Sequence, residues 1–207
     1  MRLLRPAVAI ALFLVLATMP VRAPPLAQER PINLPTRDVA VSYRVSGRAA
    51  QQVHAIRVRF IAALRQLRVE TDERAIAFLL VDPTARTAKM VLPGAHHFVD
   101  LPLARDKRAA LLFGNALGYT RRGRARVAGY DCTVWDVRAG ADAATACITA
   151  DGVLLRAQGK TGDLSGSELQ ATKVEYAVQP AALFRLPADF RPLGLPDLLR
   201  PFIRPSG

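Results

Sequence analysis

The sequence predicts a mainly β (α+β) domain, with about nine short antiparallel strands and one helix. Three observations carry that prediction. Apolar and polar residues alternate with a period of two in segment after segment, which describes half-buried strands. Turn signals such as Asp82-Pro83 and Asp151-Gly152 separate those segments. Only Arg105–Phe113 has a convincing helical pattern, ending before Gly114-Asn115. A sheet of that extent cannot leave both faces in water, so it must curl over a core as a barrel, half-barrel or sandwich.

In chain order, the first segment is "MRLLRPAVAIALFLVLATMPVRAPPLAQER". Arg2 and Arg5 precede the 13-residue apolar run Ala7–Met19, and small residues and prolines follow it. A membrane span needs about 20 residues, so the run reads as a secretory signal peptide covering 1–27, cleaved near Ala27. Ala23 is the other site that fits the spacing. The segment 28–35 is expected to be a Pro-rich linker.

"DVAVSYRVS" places Val39, Val41, Tyr43 and Val45 on one face, and Asp38, Ser42, Arg44 and Ser46 on the other. "VHAIRVRFI" alternates Ile56, Val58 and Phe60 against His54, Arg57 and Arg59. Val53–Leu67 also satisfies helical spacing, but β-branched residues in regular alternation favour a strand. "LRQLRVET" is its partner, turned at Ala62-Ala63. "AIAFLLVDPTARTAKMVLP" reads as two strands joined by an Asp-Pro turn, and "HHFVDLP" as a short extended piece. Further strands are expected at Arg124–Arg138, Ala144–Ala150, Val153–Gln158 and Glu168–Gln179. The tail 193–207 carries Leu195, Leu198, Leu199, Phe202 and Ile203 at helical spacing. Pro196 suits a first helical position, and Pro201 ends the helix after about one turn.

Cys132 and Cys147 are the chain's two cysteines. If "VRAGAD" turns the chain, Val137 faces Asp142, Val134 faces Thr145 and Cys132 faces Cys147. Opposed residues lie about 4.5–5.5 Å apart, within the separation a disulfide accepts. In an oxidising compartment such a pair is read as structural. There is no CxxC spacing for redox chemistry, and metal ligation would need ligands that are not nearby.

The formal charge is +12, and loss of residues 1–27, with three arginines and no acids, leaves +9. Arginines placed in every second position describe a solvated sheet face. "YTRRGRAR" (Tyr119–Arg126) is the dense cluster, expected to be a solvated loop. An exported protein seldom meets nucleic acid, so no nucleic-acid partner is expected. An anionic membrane surface is the partner such a charge suits.

Catalytic chemistry finds few candidates. His96 and His97 are adjacent, which on a strand sends them to opposite faces, and His54 stands apart. Ser165 and Ser167 lie in "TGDLSGSEL", without the strand-to-helix context of a nucleophile elbow. No phosphate loop or dinucleotide fingerprint is present. No catalytic residue, metal or cofactor is expected, and the chain reads as non-enzymatic. The remaining candidate surface is apolar: Val39, Val41, Tyr43, Ile56, Val58 and Phe60 either line a ligand cavity or fill a closed core.

The segments "IRVRFIAALRQLRVE", "AIAFLLVDPTARTAKMVLP", "RVAGYDCTVWDV", "ACITADGVLLRA" and "ALFRLPADFRP" together resemble the LolA/LolB-like lipoprotein-carrier fold. They resemble most closely exported bacterial domains of that architecture. The Gly129-Tyr130-Asp131-Cys132 strand, the Cys147-Ile148-Thr149-Ala150-Asp151-Gly152 strand and the Phe184–Pro187 end are the specific pieces. The resemblance covers residues 36–192. It implies a curved antiparallel sheet forming a half-barrel, with one or few helices across the concave face and an apolar cavity that takes acyl chains. The expected role is a periplasmic binding protein for a lipid or lipoprotein acyl chain. The alternative is a structural or interaction module of the cell envelope, with a closed core, no small ligand and an envelope protein as partner.

Overall fold

The computed structural model describes residues 29–51, 53–71, 77–103, 118–161 and 165–193. The expected signal peptide, the helix Arg105–Phe113 and the tail beyond Leu193 lie outside the described residues. Alternation produces strands β1 (Val39–Gly47), β2 (Ala55–Ile61), β3 (Gln66–Thr71), β4 (Phe78–Asp82), β5 (Thr87–Leu92) and β6 (His97–Pro102). A second group follows: β7 (Gly118–Val127), β8 (Tyr130–Ala139), β9 (Asp142–Ile148), β10 (Leu154–Gly159), β11 (Ser167–Glu175) and the short β12 (Arg191–Pro192). All twelve join one sheet, in the order β12-β6-β5-β4-β3-β2-β1-β11-β10-β9-β8-β7. The β12–β6 pair is parallel and the others are antiparallel. Helical structure among the described residues is confined to short 3-10 turns, as at Ala181–Phe184. The chain is therefore mainly β, with a large, curved, unclosed sheet.

Irregularities in the ladder account for the curvature. The register shifts between Ser42 and Tyr43 opposite β11, between Leu154 and Arg156 opposite β9, and between Arg121 and Gly123 opposite β8. Each extra residue bends its strand and increases the twist. The sheet curls far enough for β7 to touch β11, although β8, β9 and β10 lie between them in sheet order.

Two expectations need correction. Arg124–Arg138 is not one strand. Ala128 and Gly129 both have positive φ (50° and 83°), the backbone of a tight hairpin turn, so the chain folds back there. The arginine-rich stretch Tyr119–Arg126 is accordingly strand β7 at the edge of the sheet, not a loop. Its ends turn inward, with Tyr119 8% exposed and Val127 buried, while the arginines between them are exposed: Arg121 pairs with Glu29 and Arg122 with Asp136. The second correction is register. The β8–β9 turn is Gly140-Ala141, so Ala139 faces Asp142 and Val134 faces Cys147. That is two residues away from the expected pairing. The disulfide Cys132–Cys147 nevertheless forms, as a diagonal pair with its Cα atoms 5.4 Å apart.

Both ends of the described chain are packed down. Residues 29–35, expected as a linker, lie against the sheet: Tyr119 donates to Asn33 Oδ1 at 2.9 Å, and Leu34 packs on the main core. After β11 the chain crosses the opposite face. Asp38 accepts the Gln179 N–H, Arg68 donates to the Leu183 carbonyl, and Phe184 is buried. The crossing ends where Arg191 and Pro192 pair with β6.

Candidate functional site

The candidate site begins with three cross-strand pairs. In the β1–β2 ladder Val39 faces Phe60, Val41 faces Val58 and Tyr43 faces Ile56. The residues singled out by alternation are thus brought together as one contiguous patch on one face. Val39, Val41, Tyr43 and Phe60 are buried, while Ile56 and Val58 are half-buried. All of them line a partly open cavity of about 410 Å³, together with residues including Leu79, Leu101, Val153 and Leu169.

Every side chain of that lining is uncharged, and its polar groups are few. The Tyr43 hydroxyl donates to the Leu154 carbonyl at 2.7 Å, so the buried phenol is satisfied. Burial pushes its pKa up, so it stays neutral. Asn33 sits at the boundary, its side-chain oxygen taken by Tyr119.

Sequence reasoning missed a second apolar cavity of about 270 Å³ on the other side of Asn33, Gly152, Leu154 and Leu169, which border both. It is lined by Tyr119, Val137, Ala144, Ala146 and Ile148 among others. The available signal was the run of small residues at inward positions of β9, Ala144 and Ala146, beside Ala157 of β10. Small side chains on a concave face leave space where Leu or Phe would fill it. A third cavity, polar and about 600 Å³, lies at the turns and is lined by Asn33, Leu34, Pro35, Thr36, Arg65, Thr84 and Arg86 among others.

The other candidates do not converge. His54 is exposed, His96 shares a hydrogen bond with Asp189 at 2.6 Å, and His97 Nδ1 contacts the Ala95 carbonyl. Hydrogen bonding to His96 holds the Asp189 carboxyl below the usual range. No grouping of His, Cys, Asp or Glu able to hold a metal occurs among the described residues. Ser167 accepts the Ala49 N–H and Ser165 contacts the Lys160 carbonyl, both turn contacts.

No protein-family model matches the chain, and no curated protein matches it. Solved structures do. The chain is similar to an uncharacterized conserved protein from Thermus thermophilus, with TM-score 0.54 and 18% identity over 78% of this chain and 92% of that one. PNGF-II matches with TM-score 0.50 and 10% identity over 76% of this chain, which spans only 31% of PNGF-II. The MucA/MucB complex of Pseudomonas aeruginosa matches with TM-score 0.47 and 11% identity, over 74% of this chain and 57% of that one. The first two likenesses are of fold.

Proposed function

We propose that this chain is an exported, non-enzymatic binding protein of the LolA/LolB-like carrier type, which accommodates a lipid or acyl group between the inward face of β1–β6 and Val153-Leu154. One observation carries the reading: the inward side chains of β1 and β2 border about 410 Å³ of apolar space instead of closing on one another. Cores pack to the density of organic crystals, and voids larger than a water molecule are few. A volume of this size falls within the range of about 300–1,000 Å³ found for small-molecule sites. An uncharged lining disfavours ions and sugars, and each methylene buried from water contributes about 0.8 kcal/mol. The disulfide fits an oxidising compartment, and the apolar leader supplies the export route, so the periplasm is the proposed location.

The test is a titration with a dansyl-labelled fatty acid, whose emission rises in apolar surroundings. Saturable one-to-one binding is expected, lost in Val58→Trp, which fills the cavity from a half-buried position, and retained in Val178→Asp, where the side chain is 88% exposed. Melting curves show that the variants fold. No saturable binding by the folded wild type overturns the reading and leaves an interaction module with an unliganded core.

A further inference from the structure

The polar cavity shares Asn33, Leu34 and Pro35 with the larger apolar one, so the two meet across a single strand of chain. Its basic side chains are Arg65 and Arg86, from separate hairpins. Arg65 ends the turn between β2 and β3, and Arg86 ends the turn between β4 and β5. Antiparallel order brings these turns to the same end of the sheet.

Both arginines have left-handed backbone, with φ of 53° and 54°. That conformation suits Gly or Asn, and other residues adopt it less readily. His96 and Ala128 adopt the same conformation at other turns. Both arginine side chains are exposed, and neither guanidinium enters an ion pair or side-chain hydrogen bond among the described residues; Arg44, Arg124, Arg138 and Arg156 are likewise unpaired there, whereas Arg37, Arg57, Arg59, Arg68, Arg121 and Arg122 are paired. The nearby carboxylates already hold backbone: Asp38 accepts the N–H groups of Ala62 and Gln179, and Asp82 accepts that of Ala85. Among the described residues no acid lines the cavity, whereas Thr36 and Thr84 do.

We infer that Arg65 and Arg86 form a headgroup site for a phosphate-type anion, so that the ligand is an anionic amphiphile with its chain in the apolar cavity and its charge in the polar one. The inference rests on the acyl-binding reading and names the ligand class. Guanidinium groups suit phosphate because their planar donors bind its oxygens in pairs. A free phosphate presents the same chemistry, so it is tested beside the amphiphile.

Calorimetry compares three probes on the full chain: palmitoyl lysophosphatidate, monopalmitoylglycerol and inorganic phosphate. The double variant Arg65→Asn/Arg86→Asn removes both charges, and Asn tolerates the left-handed backbone. Wild-type protein is expected to bind the lysophosphatidate at least about tenfold more tightly than the glycerol ester, and the double variant to abolish that difference without weakening the ester. Arg65→Lys/Arg86→Lys should recover part of it. Equal affinity for the two lipids in wild type, or a preference that survives in the Asn variant, overturns the headgroup site while the acyl reading stands. Failure of both lipids to bind overturns the acyl reading and the headgroup site with it. Phosphate binding as tight as that of the lysophosphatidate, and lost in the Asn variant, overturns the amphiphile in favour of a free-anion site.

Discussion

Asp151 gathers three donors: Arg37 at 3.0 Å, Thr149 at 2.5 Å and the Tyr176 hydroxyl at 3.2 Å. Burial pushes its carboxyl pKa up, but these hydrogen bonds outweigh burial and hold it below the ordinary value. A depressed folded pKa contributes stability that is complete above the unfolded value of about 3.9 and is lost as pH falls through the folded one. Asp151→Asn should therefore flatten the acid limb of stability below about pH 4, measured by urea unfolding across pH. The next residue is constrained differently. A Cβ on Gly152, at φ +90°, would lie 2.3 Å from the Leu34 carbonyl oxygen, so Gly152→Ala should displace residues 32–36 and lower the melting temperature. The disulfide closes 15 residues of chain, and Cys132→Ser should cost about 3 kcal/mol. Equal melting temperatures with and without reductant would contradict that. The cysteine pair was legible because facing or diagonal positions on a hairpin both satisfy a disulfide. Its register was not, because "VRAGAD" offers several turns and only packing of Trp135, Val137, Ala146 and Ile148 selects Gly140-Ala141.

At the scale of elements, the crossing from β11 to β12 acts as a strap over the outer face. Arg59 and Arg68 share Glu70 beneath it, Arg59 reaches Gln179, and Arg68 stacks over Phe78 at 3.5 Å. Phe184, 5% exposed, is its apolar anchor, and Phe184→Ala should cost about 3–5 kcal/mol in chemical denaturation. Strands β1 to β3 were legible because an inward apolar face alternates with arginines or short side chains, and β4 and β5 because an apolar run meets an Asp-Pro turn. β7 was hidden by composition: a run of arginines suggests a loop, yet an edge strand exposed to water accommodates charge readily. β12 was hidden by its length, since a two-residue parallel pairing leaves no periodic trace. The strap itself could not be read, because its contacts join Asp38 to Gln179 and His96 to Asp189 across long stretches of sequence.

For the whole molecule, the curl of the sheet is the consequential property. The alternation in β1 and β2 identified which residues face inward, but it could not say whether they meet a packed core or open space. That distinction depends on bulges, on the small residues of β9 and β10, and on the placement of residues 32–35 between cavities, none of which has a period. Among the described residues, two apolar cavities and one polar cavity share Asn33 in their linings. Whether this space holds an amphiphile is tested most directly by native mass spectrometry of the protein expressed from its full sequence. Solvent extraction of the bound material follows. The expected result is a stoichiometric adduct that extraction identifies as an acyl-bearing molecule and that is absent from Val58→Trp. A bare mass, with the disulfide intact and nothing extracted, would contradict it.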